Sequence, residues 1–196
     1  MRIIRMSGLT AAPWKNGGGV TREIAAGRRG GALLWRLSMA DVASDGPFSN
    51  FAGLTRILTV IEGNGIELVS AAGTLYADYG QPVRFDGGLK IEGKLVDGPL
   101  RDFNLIYDPL SCDGKVLAVA GPHRQALRAN PGLILAVFCL HGDVALDGSA
   151  HLHASDTAIV ESGTVQLDLA KGALALLATL ALPAHAEASR SATASR

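Results

Sequence analysis

Three short runs carry polar side chains two residues apart within otherwise apolar sequence. Thr21 and Glu23 alternate with Val20, Arg22 and Ile24; Arg36 and Ser38 alternate with Trp35, Leu37 and Met39; Asp102 and Asn104 alternate with Arg101, Phe103 and Leu105. On a strand, residues i and i+2 share one face, so each pair would project together. With Arg56 and Lys15 the set offers cationic donors, carboxylate acceptors and neutral hydroxyl and amide groups. A concave site for a small polar acid uses that mixture. The plainer account makes each face the solvated side of an antiparallel sheet, with Trp35, Leu37 and Met39 packed inward.

The segment PWKNGGGVTREIA, residues 13–25, sets a lysine, an asparagine and three glycines ahead of a strand-like run. A phosphate-binding P-loop needs its lysine after the glycines, where a helix N-terminus and the ammonium meet the phosphates together. Here Lys15 comes first and a strand follows, so that chemistry is excluded. GxGxxG fails as well, because Arg22 stands at the third glycine position and no βαβ setting surrounds it. The glycines instead suit a sharp bend, or a backbone that runs close to a ligand. Lys15 and Asn16 would then flank one wall of a pocket and Thr21 and Glu23 the other. The loop ASDGPFSNFAGLTR, 43–56, adds Phe48 and Phe51, as anchors on the core or as pocket lining.

Histidine is confined to the second half of the chain, at His123, His141, His151, His153 and His185. His151 and His153 could share a strand face and converge on a metal ion, with Asp156 or Glu161 as a third ligand, but an exposed strand pair beside a turn is the plainer account and the one expected here. No metal or other cofactor is expected. Cys112 and Cys139 form no CxxC and have no placed partner; they are expected to be free thiols, Cys139 a small core residue. No GxSxG elbow occurs.

Eighteen basic residues balance 18 acidic ones with no Lys/Arg-rich run, which argues against nucleic acid or an anionic membrane surface as partner. The longest apolar run, ALALLATLAL, is shorter than the roughly 20 residues that span a bilayer. With no apolar leader at MRIIRMSGL, a cytoplasmic protein is expected.

The elements that must position these residues read as strands. Twenty-four glycines and the turn signals EGNG, AAG, DGG and HGD punctuate short runs of Val, Ile, Leu and Thr, the pattern of an all-β sandwich or barrel. A weak repeat lays the segment from Ile57 over the segment from Ile134, each reading strand, turn, strand, turn, strand, strand. Two copies imply a duplicated β unit rather than a solenoid. The join falls near SCDGK, 111–115. In the second half Ala, Leu and Val dominate, which suits scaffold or an interface with a second copy of the chain. AHAEASRSATASR, 184–196, is expected to be a disordered tail.

The motifs PWKNGGGVTREIA, WRLSMADVASDGPFSNFAGLTRILTVIEGNG and VDGPLRDFNLIYD together resemble the HutD/Ves family over residues 1–108. That resemblance implies a bicupin: two antiparallel β-barrel, RmlC-like jelly-roll (cupin) domains, here 1–110 and 111–183, with N-terminal strands exchanged between them. It also implies a ligand site at Trp14, Lys15, Asn16, Gly18, Thr21, Glu23, Arg36, Ser38, Phe48, Ser49, Arg56, Asp102 and Asn104. The cupin metal motif, GxxxxxHxH with a Glu soon after, is absent, so the expected protein is metal-free. It would bind a small acidic metabolite of the urocanate or formylglutamate type and regulate histidine utilisation. Two alternatives stand beside this: an isomerase or hydrolase using Glu23 or Asp102 as general acid or base, and an interaction module without ligand.

Overall fold

A computed structural model describes residues 1–15 and 17–183; the expectations for Asn16 and for the tail 184–196 lie outside them. In chain order the strands begin with β1 (Arg2–Ile4), β2 (Ala11–Pro13), β3 (Gly19–Arg29), β4 (Ala32–Val42), β5 (Gly46–Pro47), β6 (Thr55–Glu62), β7 (Ile66–Ser70), β8 (Gly73–Ala77), β9 (Val83–Asp86), β10 (Glu92–Leu95) and β11 (Leu100–Tyr107). They continue with β12 (Asp113–Ala120), β13 (His123–Ala129), β14 (Leu133–His141), β15 (Val144–Leu146), β16 (Ala150–Leu152), β17 (Thr157–Val160), β18 (Gly163–Leu169) and β19 (Leu174–Ala181). One 3-10 turn, Met6–Gly8, follows β1. Strands β2, β5, β13 and β16 carry too little apolar alternation to stand out in the sequence; in β13, HRQALRA, only Leu127 and Ala129 are buried.

The strands form four antiparallel sheets, ordered β5-β10-β7-β8, β2-β3-β4-β11-β6-β9, β1-β17-β14-β19-β12 and β13-β18-β15-β16. Burial stacks them in that order. Val42, Leu58, Val60 and Leu100 of the six-stranded sheet pack against Ile66 and Leu68 of the first sheet. The opposite face of the six-stranded sheet, with Trp35, Leu37, Met39, Phe103 and Leu105, packs on Ile134, Ala136, Phe138 and Leu176 of the five-stranded sheet. Phe103 and Phe138 meet there with ring centroids 4.9 Å apart. Leu135, Val137 and Leu177 then pack on Leu146, Val165 and Leu167 of the last sheet. Each such side chain contributes about 1.5–3 kcal/mol on burial, so all three apolar layers matter to stability.

The order β4-β11-β6-β9 in one half repeats as β12-β19-β14-β17 in the other, and β5-β10-β7-β8 repeats as β13-β18-β15-β16. The all-β class and the duplicated pattern expected from sequence are present. Closed barrels are not: β8 and β9 both end their sheets and do not pair, and among the described residues an isolated bridge joins Val60 of β6 to Tyr79, just after β8. Pro82, which has no N–H to donate to a ladder, sits where the pairing would continue. The N-terminal β1 pairs with β17, Ile3 opposite Ala158, and so belongs to the five-stranded sheet.

Candidate functional site

The hairpin β3–β4 positions half of the site. Gly30 and Gly31, both at positive φ, close it with a two-residue turn that favours the right-handed twist of the strands. The resulting register sets Thr21 opposite Ala40 and Glu23 opposite Ser38. A bulge after Glu23 rotates the strand, and Ile24 drops into the central apolar layer. On the other side of β4, Ser38 faces Asn104 and Ala40 faces Asp102; across β11, Asn104 faces Leu58 and Ile106 faces Arg56. Paired residues share a face, and Leu58 fixes which one. Arg36, Ser38, Arg56, Asp102 and Asn104 all point into the interior of the first half, between its two sheets. These are therefore not solvated faces, and Trp35, Leu37 and Met39 pack inward only in the sense that they meet the second half.

Inside, a short chain of hydrogen bonds links three buried groups. Arg56 Nε donates to Asn104 Oδ1 at 2.8 Å, and Asn104 Nδ2 donates to Asp102 Oδ1 at 2.6 Å. Asp102 has no exposed surface, and burial pushes its carboxyl up to about 6 although Arg56, Asn104 and the Ala40 backbone pull the other way. Burial lowers the Arg56 guanidinium to about 10, with Asp102 opposing the shift and Arg36 adding to it. Three phenyl rings surround that guanidinium: Phe48, Phe85 and Phe51, with centroids at 4.8, 5.6 and 6.0 Å. Arg36 lies 5.1 Å from the Phe51 centroid and close enough to Glu23 to feel its charge. Cation–π contacts of this kind hold a guanidinium in place without occupying its N–H donors.

Among the described residues Arg36 makes no hydrogen bond to protein, and Arg56 uses only Nε. Buried and without a protein partner are Arg36 Nε, Ser38 Oγ and Asp102 Oδ2. Glu23 is exposed and Arg36 half-buried, so the cluster opens on the β3 side. Trp14 closes the flank: its Nε1 donates to Thr21 Oγ1 at 2.7 Å and its ring meets Phe48 edge-on at 6.4 Å. Gly19 permits this approach, since a Cβ there would collide with the Asp41 carbonyl oxygen and the Trp14 ring.

The cluster thus brings together Trp14, Thr21, Glu23, Arg36, Ser38, Phe48, Arg56, Asp102 and Asn104. Gly18 lies at its border, where its carbonyl accepts from Ala43 N–H at 2.9 Å. Lys15 and Ser49 are exposed and, among the described residues, make no polar contact with the cluster. Phe51, seen in the loop but not assigned to the site, and Phe85, in PVRFD, are the additions; Phe85 stands directly opposite Arg56 in the β6–β9 pairing. Cavities of about 440 Å³, bounded by Arg84, Phe85 and Pro109, and about 210 Å³, bounded by Asp41, Leu100 and Arg101, lie beside the cluster and touch neither Arg36 nor Arg56.

In the second half, His151 Nδ1 lies 2.9 Å from Asp143 and His153 Nδ1 lies 3.4 Å from Asp156. Asp156 itself accepts from Arg5 Nη1 at 2.6 Å and from the Met6 and His153 backbone N–H groups, so it locks the N-terminal segment down. No group of three or more metal-type side chains converges among the described residues. Both cysteines are buried free thiols, and burial raises each to about 11. No helix among the described residues is long and apolar enough to cross a membrane.

A sequence model of the HutD family matches residues 6–177. The chain belongs to the HutD family. Its relatives include a 21.2 kDa protein in the hutC 3' region of Pseudomonas putida, 35% identical over 76% of this chain and 79% of that one. Protein Ves of Escherichia fergusonii is 36% identical over 53% of this chain and 56% of its own. HutD from Pseudomonas fluorescens SBW25 superposes with a TM-score of 0.80 at 34% identity, covering 92% of this HutD-family chain and 98% of that structure. A more distant likeness, quercetin 2,3-dioxygenase from Acinetobacter baumannii at 14% identity and a TM-score of 0.60, extends the shared cupin-like fold and nothing more.

Proposed function

We propose that this HutD-family chain binds a small carboxylate metabolite in the interior of its first half, without metal, as a cytoplasmic regulator of histidine utilisation. The observation that carries this reading is the pair of guanidiniums, Arg36 and Arg56, set in one aromatic interior: among the described residues Arg36 makes no hydrogen bond to protein, its Nε being buried without a partner, and Arg56 donates only through Nε. An arginine fork reads a carboxylate bidentately, and each charge-assisted bond is worth about 1.5–3 kcal/mol. Asn104 and Asp102 position Arg56, Ser38 offers a hydroxyl, and Glu23 at the rim accepts from a ligand N–H. Urocanate and formylglutamate are the type of acid that fits, in keeping with the hutC-region relative. The chain is read as a bicupin in which only the first unit, 1–110, carries a site and the second, 111–183, is scaffold. Complete burial of Asp102 behind Asn104 favours positioning over general acid–base work. Calorimetric titration with urocanate and formylglutamate is the test. Arg36→Ala is expected to weaken binding by about tenfold or more, and unchanged affinity would remove Arg36 from the site.

A further inference from the structure

The first-half interior holds an uneven set of charges. Two guanidiniums enter it, Arg36 from β4 and Arg56 from β6, and the fully buried carboxyl is Asp102 alone, on β11. From the facing sheet, Ile66 and Leu68 contribute only apolar surface. The remaining charged groups near Asp102 are Glu23, exposed on β3, and Asp41 on β4, which is held by Arg22 and Arg101. Asp102 has one oxygen committed to Asn104 and the other, Oδ2, buried without a protein partner. A ligand carboxylate at the arginines would place a second anion within the same few ångströms of low-dielectric interior. Two carboxylates sharing such a site do not both stay ionised, and the enclosed one takes up the proton.

We propose that binding of a carboxylate at Arg36 and Arg56 is coupled to uptake of one proton by Asp102. A solvent or buffer acid gives up its proton, an O–H bond forms at Asp102 Oδ2, no other covalent bond changes, and Oδ1 keeps its bond from Asn104. Binding and protonation then reinforce each other, so affinity for the acid rises as pH falls. The coupling rests on the carboxylate-binding reading above. Burial already sets Asp102 near the pH range in which such coupling is felt.

The test titrates wild-type protein with N-formylglutamate and with acetate, whose carboxyls stay ionised above about pH 6. Calorimetry in two buffers of different ionisation enthalpy counts the protons. The expected result is net uptake near about pH 7, with affinity tightening by up to about tenfold per unit as pH is lowered from about 8 to about 6. Infrared difference spectra of the wild type should gain a protonated, buried carboxyl band on adding either acid. Asp102→Asn is expected to bind with buffer-independent enthalpy and pH-flat affinity, while Glu23→Gln, whatever its affinity, keeps the proton uptake. Binding with no proton uptake and no new carboxyl band would overturn the coupling and leave the carboxylate reading intact. Uptake that persists in Asp102→Asn would likewise overturn it. If neither acid binds at any pH, both readings fall.

Discussion

The two halves share a topology and differ in what fills it. In the repeat that aligns Ile57 with Ile134, the pairings Leu58–Asn104 and Val60–Asp102 correspond to Leu135–Thr179 and Val137–Leu177, and Arg56 corresponds to Leu133. A charged hydrogen-bonded chain in one half is thus a leucine-rich layer in the other. The connections differ too. Residues 48–54, with Phe48 and Phe51, join β5 to β6, whereas only residues 130–132 join β13 to β14. The longer loop supplies two of the three rings around Arg56, and β3 walls the cluster, whereas β12 ends its sheet. One framework therefore carries either an apolar core or a charged cluster, and which one depends on a few inward positions and one loop.

The largest effect that sharpens this contrast comes from breaking the buried pair. Arg56→Ala leaves Asp102 buried without its charge partner and should cost about 3–5 kcal/mol in chemical denaturation. The corresponding second-half truncation, Leu177→Ala, leaves a cavity and should cost about 2–4 kcal/mol. A smaller loss for Arg56→Ala than for Leu177→Ala would mean that the charged chain does not organise the first half. Converting one interior into the other is the next step: Arg56→Leu, Asp102→Leu and Asn104→Thr together should be neutral or stabilising by about 1–4 kcal/mol, while carboxylate binding disappears. Loss of folding in that triple variant would show that the halves are not interchangeable frameworks.

A third change tests how the second half is secured. Burial alone would raise the Asp156 carboxyl, but the Arg5 guanidinium and the Met6 and His153 N–H groups outweigh it and hold the carboxyl below its usual range. A depressed carboxylate adds stability above its unfolded pKa and loses it as pH falls through the folded value. Asp156→Asn should therefore cost about 2 kcal/mol at neutral pH, a penalty that fades below about pH 4, and a pH-independent difference would exclude this origin. The smallest effect belongs to the loop: Phe51→Leu should weaken carboxylate binding only about two- to fivefold, because the ring makes only weak cation–π contacts with Arg36 and Arg56.

Much of this was legible in the sequence, and the rest was hidden for physical reasons. Period-2 alternation identified the faces of Arg36 and Ser38 and of Asp102 and Asn104, because a strand obliges i and i+2 to project together. It could not say where those faces point. Strands β4 and β11 are buried on both sides, so an apolar face such as Leu37 and Met39 does not mark the polar face as wet. Phe85 gave no signal because its relation to Arg56 exists only through the pairing of β6 with β9. Closed barrels came only with the family resemblance, since turn spacing left sandwich and barrel open: it counts strands but does not fix whether the last one pairs with the first. The carboxylates of Asp102 and Glu23 looked equivalent in sequence; depth separates them, one sealed and the other at the rim.

The central apolar layer has a consequence for how the chain can be divided. A cut near residue 110 would bare Trp35, Leu37, Met39, Phe103 and Leu105 on one piece and Ile134, Ala136, Phe138 and Leu176 on the other. Each fragment would be a self-associating slab, and the first would also carry off β1, which the second needs for its sheet edge. The seam that topology draws between the halves is thus no fracture line: the charged interior comes with its apolar twin attached, and the two should melt as one.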